Sequence, residues 1–377
     1  MCAAMIASPN RVIIDLSALA GNLRQIRNLV GRDTRIMGVV KSDAYGHGLL
    51  EVGRVLERNG IDCLGVAYLH EALALREGGV RLPVVILCGI RTREESRHVL
   101  ENGLTPVLFD LSAAEILSQE CRSRGLKTRI HLKVDTGMGR LGIADTEIGP
   151  FIQKVISFKH LEIEALTTHL ATADETDARF TEDQIARFEM AIFTGRSLGL
   201  NLTLNNMANS AGIIGHRRTL FDMVRPGVML YGGRPSPGFF STASFAPVMH
   251  LRAEVVQVRD LPDKTPVSYG RTYHTKGPRR VAVLSAGYAD GLPRTLSNRG
   301  KVLVGGKMAG IIGTVCMNLT VCDITGHKDV SPGDPAVFLG SQGEECITGD
   351  DIAKQAGTIS YEIFCAIGPK NLRTYIK

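Results

Sequence analysis

Eight short runs rich in β-branched and aliphatic residues recur through the first 227 positions, most of them followed by a stretch with helical patterning. The runs lie at 35–41, 63–68, 83–89, 105–110, 128–135, 163–171, 203–207 and 223–227. Helix candidates separate most of them, at 47–59, 70–77, 93–101, 112–124, 147–157 and 181–198, and another at 17–30 precedes the first run. Residues 112–124 show the logic: Ser112 can cap the start, Glu115 stands three residues on, and Gly125 follows the end. Strand–helix alternation selects a parallel sheet, because each return crossing needs a long connection that covers the sheet. The fold class expected is therefore α/β, a (β/α)8 TIM-type barrel. An open doubly wound sheet is the competing architecture, but no G-x-G-x-x-G follows residues 35–41.

The pattern changes at 232–247, where Gly232-Gly233-Arg234-Pro235-Ser236-Pro237-Gly238 reads as a linker. Beyond it, strand-like segments at 251–259, 280–284, 301–304, 308–312 and 336–339 alternate with turns, and only 350–357 reads as a helix. The division expected is a barrel over 11–237 and a mostly β C-terminal domain over 238–377, joined by residues 1–10.

Composition narrows the function classes. A chain of 377 residues with 44% apolar and 22% charged positions can bury a full-sized core. A net charge of +6 without any block of like charge gives nucleic-acid binding little footing. No apolar stretch reaches the roughly 18 residues of a membrane span. The first ten residues lack both a basic segment and a long apolar segment, so no signal peptide is expected. The eight cysteines are scattered without metal-clip spacing, which predicts reduced thiols, no metal site and a cytoplasmic setting.

In such a barrel the C-terminal strand ends converge on one mouth, so their polar residues should collect there. The first run ends in Lys41, and the fifth carries His131, Lys133 and Asp135. The sixth gives Thr167-Thr168-His169, the seventh leads into Asn209-Ser210, and the eighth ends in Arg225-Pro226-Gly227-Val228. Strand-end lysines commonly just reach solvent, but a desolvated lysine can act as a nucleophile and form a Schiff base. A mouth this rich in cations calls for an anionic ligand. The glycine-containing ends at 209–212 and 225–228 offer backbone N–H groups and a hydroxyl to a phosphate. A lysine opposite a phosphate cradle points to pyridoxal phosphate.

The stretch Val39-Val40-Lys41-Ser42-Asp43-Ala44-Tyr45-Gly46-His47-Gly48 resembles the cofactor signature of the alanine racemases, fold type III pyridoxal phosphate enzymes. Asp135-Thr136-Gly137-Met138-Gly139-Arg140-Leu141-Gly142, Val267-Ser268-Tyr269-Gly270, Gly287-Tyr288-Ala289-Asp290-Gly291, Cys316-Met317 and Ile359-Ser360-Tyr361-Glu362 extend the likeness over nearly the whole chain. The resemblance implies that Lys41 carries the cofactor and that Lys41 and Tyr269 are acid/base groups on opposite faces of the substrate Cα. Arg225 would face the pyridine nitrogen, with His169 against the ring and bonded to Arg225. Tyr45, Asn209, Ser210, Tyr361 and the backbone of Gly227 and Val228 would hold the cofactor, chiefly at its phosphate. Arg140 and the Met317 N–H would meet the substrate carboxylate, Tyr288 would line the entrance, and Lys133 would be open to carbamylation. It further implies a homodimer with shared active sites, since Tyr269 lies in the second domain, and a small-molecule substrate, alanine, destined for peptidoglycan.

Asn206 stands where many relatives have histidine, which implies looser contacts around the cofactor. Asn318 stands where aspartate is common, and the ending Ala366 to Arg373 departs from the usual Arg-x-Pro-Arg. A serine-preferring or broad-spectrum racemase is an alternative within the same family. A fold type III decarboxylase would place an acid where Arg225 stands, and a non-catalytic cofactor-binding protein of the single-barrel kind would lack the domain that bears Tyr269.

Overall fold

The computed structural model describes residues 8–236, 239 and 244–377. The boundary expected between 237 and 238, and residues 1–7 of the expected N-terminal addition, lie outside the described residues. Parallel pairing runs through Arg35–Val39, Cys63–Val66, Val84–Ile86, Thr105–Leu108, Thr128–Asp135 and Leu161–Thr167 in chain order. Met223–Val224 then pairs with Arg35–Val39. The seventh run contributes a single bridging residue: Asn206 pairs with Thr167 on one side and Met223 on the other, closing the barrel. Most strands end sooner than the apolar runs suggest, because the chain leaves the ladder to build the mouth.

Helices start where side chains can take up their free N–H groups. Leu111–Arg124 begins after Asp110, whose carboxylate accepts the Ala113 N–H at 3.0 Å. Ser112 does not cap this helix; its hydroxyl donates to the same carboxylate at 2.6 Å. The charged acceptor is the stronger partner for a backbone N–H, and it sits two residues earlier than the hydroxyl reading requires.

Arg11–Asp15, placed by the sequence reading at the start of the barrel, pairs instead within the other sheet. It lies antiparallel to Met249–Leu261 and parallel to Arg373–Ile376, tying both chain ends into one nine-stranded sheet. The first element of the barrel side is therefore the helix Leu16–Val30. The helix expected over 350–357 is observed as Gly349–Ala356, and Ser360–Ile367 is helical as well. Its apolar eight-residue run is too short for periodicity to separate helix from strand.

The barrel and the C-terminal helices meet at Gly46 and Gly368, where a Cβ on Gly368 would stand 1.9 Å from the Gly46 carbonyl oxygen. Beside them the His47 ring stacks on Tyr231 at 4.5 Å and meets Phe364 edge-on at 5.2 Å. Gly368→Ala must therefore separate two backbones and is expected to cost roughly 1–3 kcal/mol. Gly199, whose Cβ would meet nothing, serves as the control, with Gly199→Ala paying only for its positive φ. Chemical denaturation of both variants checks the difference. Burial also pulls the His47 imidazole down to about 4. The unfolded ring takes its proton near 6.5, so the unfolded chain holds more protons between those values and stability falls as pH drops from about 6.5 to about 4. Across that window the slope of melting temperature against pH is expected to flatten in His47→Phe.

Candidate active site

Eleven of the singled-out residues line one cavity of about 740 Å3 at the barrel mouth: Lys41, Tyr45, Lys133, Arg140, His169, Asn209, Ser210, Arg225, Gly227, Val228 and Tyr361. Lys41, Lys133, Arg140 and Arg225 bring four basic side chains to it, and no aspartate or glutamate is among its lining residues. That imbalance is costly unless an anion enters or some of the groups stay neutral. Burial, then Arg225 and Arg140, hold the Lys133 amine well below the ordinary lysine range. Burial and the same cations likewise keep the His169 ring neutral.

Lys41 opens a turn of unusual hand. Ser42, Asp43, Ala44 and Tyr45 have φ of 55°, 55°, 53° and 55°, one turn of left-handed helix built without glycine. Each such residue costs roughly 1–2 kcal/mol. The turn survives because its polar groups are met. Ala44 N–H donates to Val40 O at 2.8 Å, Gly46 N–H to Ser42 O at 3.0 Å, and Ser42 N–H to the Glu71 carboxylate at 2.5 Å. Its effect is to put Lys41, Ser42 and Tyr45 on the cavity wall together.

Tyr45 crosses toward the anion cradle. Its hydroxyl would lie 2.4 Å from a Cβ at Gly227, so only glycine allows that approach. Its ring lies 4.9 Å from Tyr231 and 5.8 Å from Tyr361. Ser210 Oγ accepts the Gly227 N–H at 3.1 Å, so hydroxyl and backbone form one polar patch. Asn209 also lines the cavity, and its side-chain oxygen caps the short helix Ser210–Gly215 by accepting the Gly212 N–H at 3.0 Å.

Arg225 is buried among neutral acceptors. Nη1 donates to Thr167 Oγ1 at 3.1 Å and to Asn206 Oδ1; Nη2 donates to Thr168 O at 2.5 Å, Met207 O at 3.2 Å and His169 Nδ1 at 3.3 Å. Burial, with Arg140 nearby, lowers its pKa to about 10, which leaves it charged at neutral pH. Asn206 does not loosen this region: its amide oxygen also accepts from Thr167 at 2.6 Å, and its Nδ2 is anchored on Leu204 O at 2.8 Å.

Other expected residues lie elsewhere. His131 is absent from the mouth lining; it bonds Glu164 at 3.1 Å and lines the cavity at the opposite end of the barrel. Asp135 is likewise absent from the mouth lining, and its carboxylate accepts the N–H groups of Gly137, Met138 and Gly139. Tyr269, Met317 and Tyr288 do not line the mouth either. They sit on the β domain, 72%, 56% and 38% exposed. Local bonds group them there: Thr314 Oγ1 donates to Tyr269 O at 2.8 Å, and Ala289 N–H to Met317 O at 2.9 Å. Asn318 is exposed beside Met317. Sequence reasoning missed Glu71, whose only signal was an acid in the first turn of the helix after the next strand, and gave Thr167 no role of its own.

Residues 14–235 match the family of the alanine racemase N-terminal domain, and residues 248–375 that of the alanine racemase C-terminal domain. The chain belongs to the alanine racemase family. A curated relative, alanine racemase 2 of Caldanaerobacter subterraneus subsp. tengcongensis, is 40% identical, with 98% of this chain and 95% of the relative covered. Among solved structures, the alanine racemase from a D-cycloserine-producing Streptomyces lavendulae superimposes with a TM-score of 0.93 at 32% identity, covering 98% of this chain and 97% of that one. The Bartonella henselae alanine racemase, solved with covalently bound pyridoxal phosphate, does so at 0.87 and 29%, covering 97% and 99%. The family's two-domain fold is thus the one observed here.

A cavity with four basic side chains and no lining acid should be stabilised by anions. Inorganic phosphate is expected to raise the melting temperature of the ligand-free protein, and Ser210→Ala to shrink the rise. An equal rise in both would remove Ser210 from the anion cradle.

Proposed function

We propose that this chain interconverts L- and D-alanine with pyridoxal phosphate held at the barrel mouth, and that the working unit is a homodimer with shared sites. The observation that carries this reading is the division of the candidate residues: Lys41 and the cradle line one cavity, whereas Tyr269, Met317 and Tyr288 form an exposed group on the other domain. Each group is what the other lacks.

The mouth suits the cofactor's chemistry. Its cations match a phosphate and a phenolate, and Tyr45, Ser210, Tyr361 and the N–H groups of Gly227 and Val228 would hold the phosphate. Lys41 would anchor the carbonyl carbon. When bound, pyridoxal phosphate supplies a conjugated acceptor for the electron pair left at the substrate Cα. The chain's residues do the remaining work. Lys41 Nζ would move the proton on one face of Cα, and the Tyr269 hydroxyl of a second copy would move it on the other, as inversion requires. Arg140 would orient the substrate carboxylate, and the Met317 N–H of the second copy would help hold it, with Tyr288 at the entrance. A carbamate on Lys133 would give Arg140 an anionic partner; the lowered amine pKa supports it, since only a neutral amine adds carbon dioxide. Arg225, permanently charged and poor at giving up a proton, would leave a ring nitrogen beside it largely unprotonated. The decarboxylase alternative wants an acid there, and the neutral acceptors around Arg225 offer none. The reading places the enzyme in the cytoplasm, supplying D-alanine for peptidoglycan; among the described residues no helix is long and apolar enough to cross a membrane.

Incubation with L-alanine in deuterated water should give both enantiomers and Cα deuterium. Carbon dioxide release without D-alanine would sink the racemase reading, and faster turnover of serine would favour the broader-specificity alternative. Lys41→Ala should lose the visible-edge absorbance of lysine-bound cofactor. Tyr269→Phe should keep that band and slow racemisation in both directions by at least about a hundredfold, the lower end of what a positioned acid/base group contributes, while Cα deuterium exchange without inversion persists for the one enantiomer whose proton faces Lys41. Mixed dimers of the two variants should regain activity, and verified heterodimers without activity would count against shared sites.

A further inference from the structure

His47 and Arg373 touch the left-handed turn but not the cavity. His47 Nδ1 lies 3.0 Å from both Ala44 O and Tyr45 O. Both partners are carbonyls, so Nδ1 carries the proton and donates to the two of them. The opposite nitrogen, Nε2, is buried without a partner, which fits a neutral ring with one polar edge committed to the turn. Arg373 arrives from the strand Arg373–Ile376, near the other end of the chain. Its Nη1 donates to the Asp43 carboxylate and, at 3.0 Å, to Gly46 O. Asp43 is itself committed: its other oxygen accepts the Leu49 N–H at 2.8 Å.

The two side chains thus seize the carbonyls of three consecutive residues, Ala44, Tyr45 and Gly46, and the carboxylate of a fourth. These are the groups whose positions define the hand of the turn. Four non-glycine residues at positive φ persist only where the surroundings over-determine them. Lys41 begins that turn and Tyr45 is its last non-glycine residue. If the turn relaxed to right-handed or extended backbone, the two would no longer share one wall.

We propose that His47 and Arg373 are positioning residues for the racemase reaction, clamping the left-handed turn so that Lys41 and Tyr45 face the mouth together. Arg373 makes the clamp a contact between the two domains, because its strand pairs with Arg11–Asp15 in the β domain's sheet. The proposal rests on Lys41 and Tyr45 serving pyridoxal phosphate as described above.

The test compares His47→Leu, His47→Asn, Arg373→Met and Arg373→Lys in the full-length protein. Asparagine can keep a donor near the Nδ1 position, and leucine cannot. Arg373 is partly exposed, so its substitution leaves the core in place. His47→Leu and Arg373→Met are expected to raise the Kd for pyridoxal phosphate at least tenfold and to lower kcat at least tenfold, with KM for alanine shifting less than threefold. His47→Asn should recover most of both losses, and Arg373→Lys part of them. In the cofactor-free protein, hydrogen exchange at the Ala44, Gly46 and Gly48 amides should quicken in the Leu and Met variants before the rest of the barrel does. A folded Arg373→Met protein with wild-type Kd, kcat and exchange would overturn the clamp. Should the wild type neither bind the cofactor nor racemise alanine, the functional reading fails instead, while the exchange measurement still decides whether the turn is clamped.

Discussion

The buried guanidinium of Arg225 holds the barrel together at its thinnest edge. Its strand is two residues long, and the neighbouring strand is the single bridge at Asn206. Backbone pairing there is sparse. Arg225 compensates by donating to Thr167, Thr168 and His169 from the sixth strand end and to Asn206 and Met207 from the seventh. One side chain thus ties three strand ends, and each of its acceptors is neutral. The charge that secures the fold is left uncancelled, beside Lys133, Arg140 and Lys41.

That uncancelled charge sets the character of the mouth. On top of burial, it pushes the His169 ring and the Lys133 amine well below their ordinary ranges by repulsion, and makes an anionic occupant the natural counterweight. Most of the cradle's parts come from the barrel, but Tyr361 comes from the C-terminal helix Ser360–Ile367, and the turn beneath Lys41 is pinned by Arg373 from the last strand. The β domain therefore serves the site in two ways. It braces the mouth of its own chain and exposes Tyr269, Met317 and Tyr288 away from that mouth's lining.

Much of this was legible in sequence, for reasons that differ from residue to residue. Parallel strands buried on both faces read as apolar runs, so seven of the eight expected runs overlap an observed strand and the remaining one contains the bridge. Their ends were read too long, because the residues that build the mouth remain apolar after the ladder stops, as at Val40 and Leu87. Ser112 looked like a cap only because hydroxyl and carboxylate both suit that position, and the choice depends on which one reaches the N–H. Arg11–Asp15 was assigned to the wrong unit since its apolar alternation suits any sheet, and its partner strands are hundreds of residues away. The site residues emerged from position at strand ends and from a resemblance carried by several motifs.

By itself the sequence determined the class of the fold, the family, and which side chains are available for chemistry, because periodicity, strand order and short motifs are local and survive without coordinates. Only the tertiary structure decided how those side chains are held. The left-handed hand of Ser42 to Tyr45 has no local signature; it is imposed by carbonyl partners supplied by His47 and Arg373 and by the contact between Gly46 and Gly368. The role of Asn206 likewise follows from what surrounds it, since an amide reads as loose or tight according to whether a guanidinium and a hydroxyl converge on its oxygen. Long-range contacts are what a linear pattern cannot encode residue by residue, and here they set the geometry in which the lysine sits.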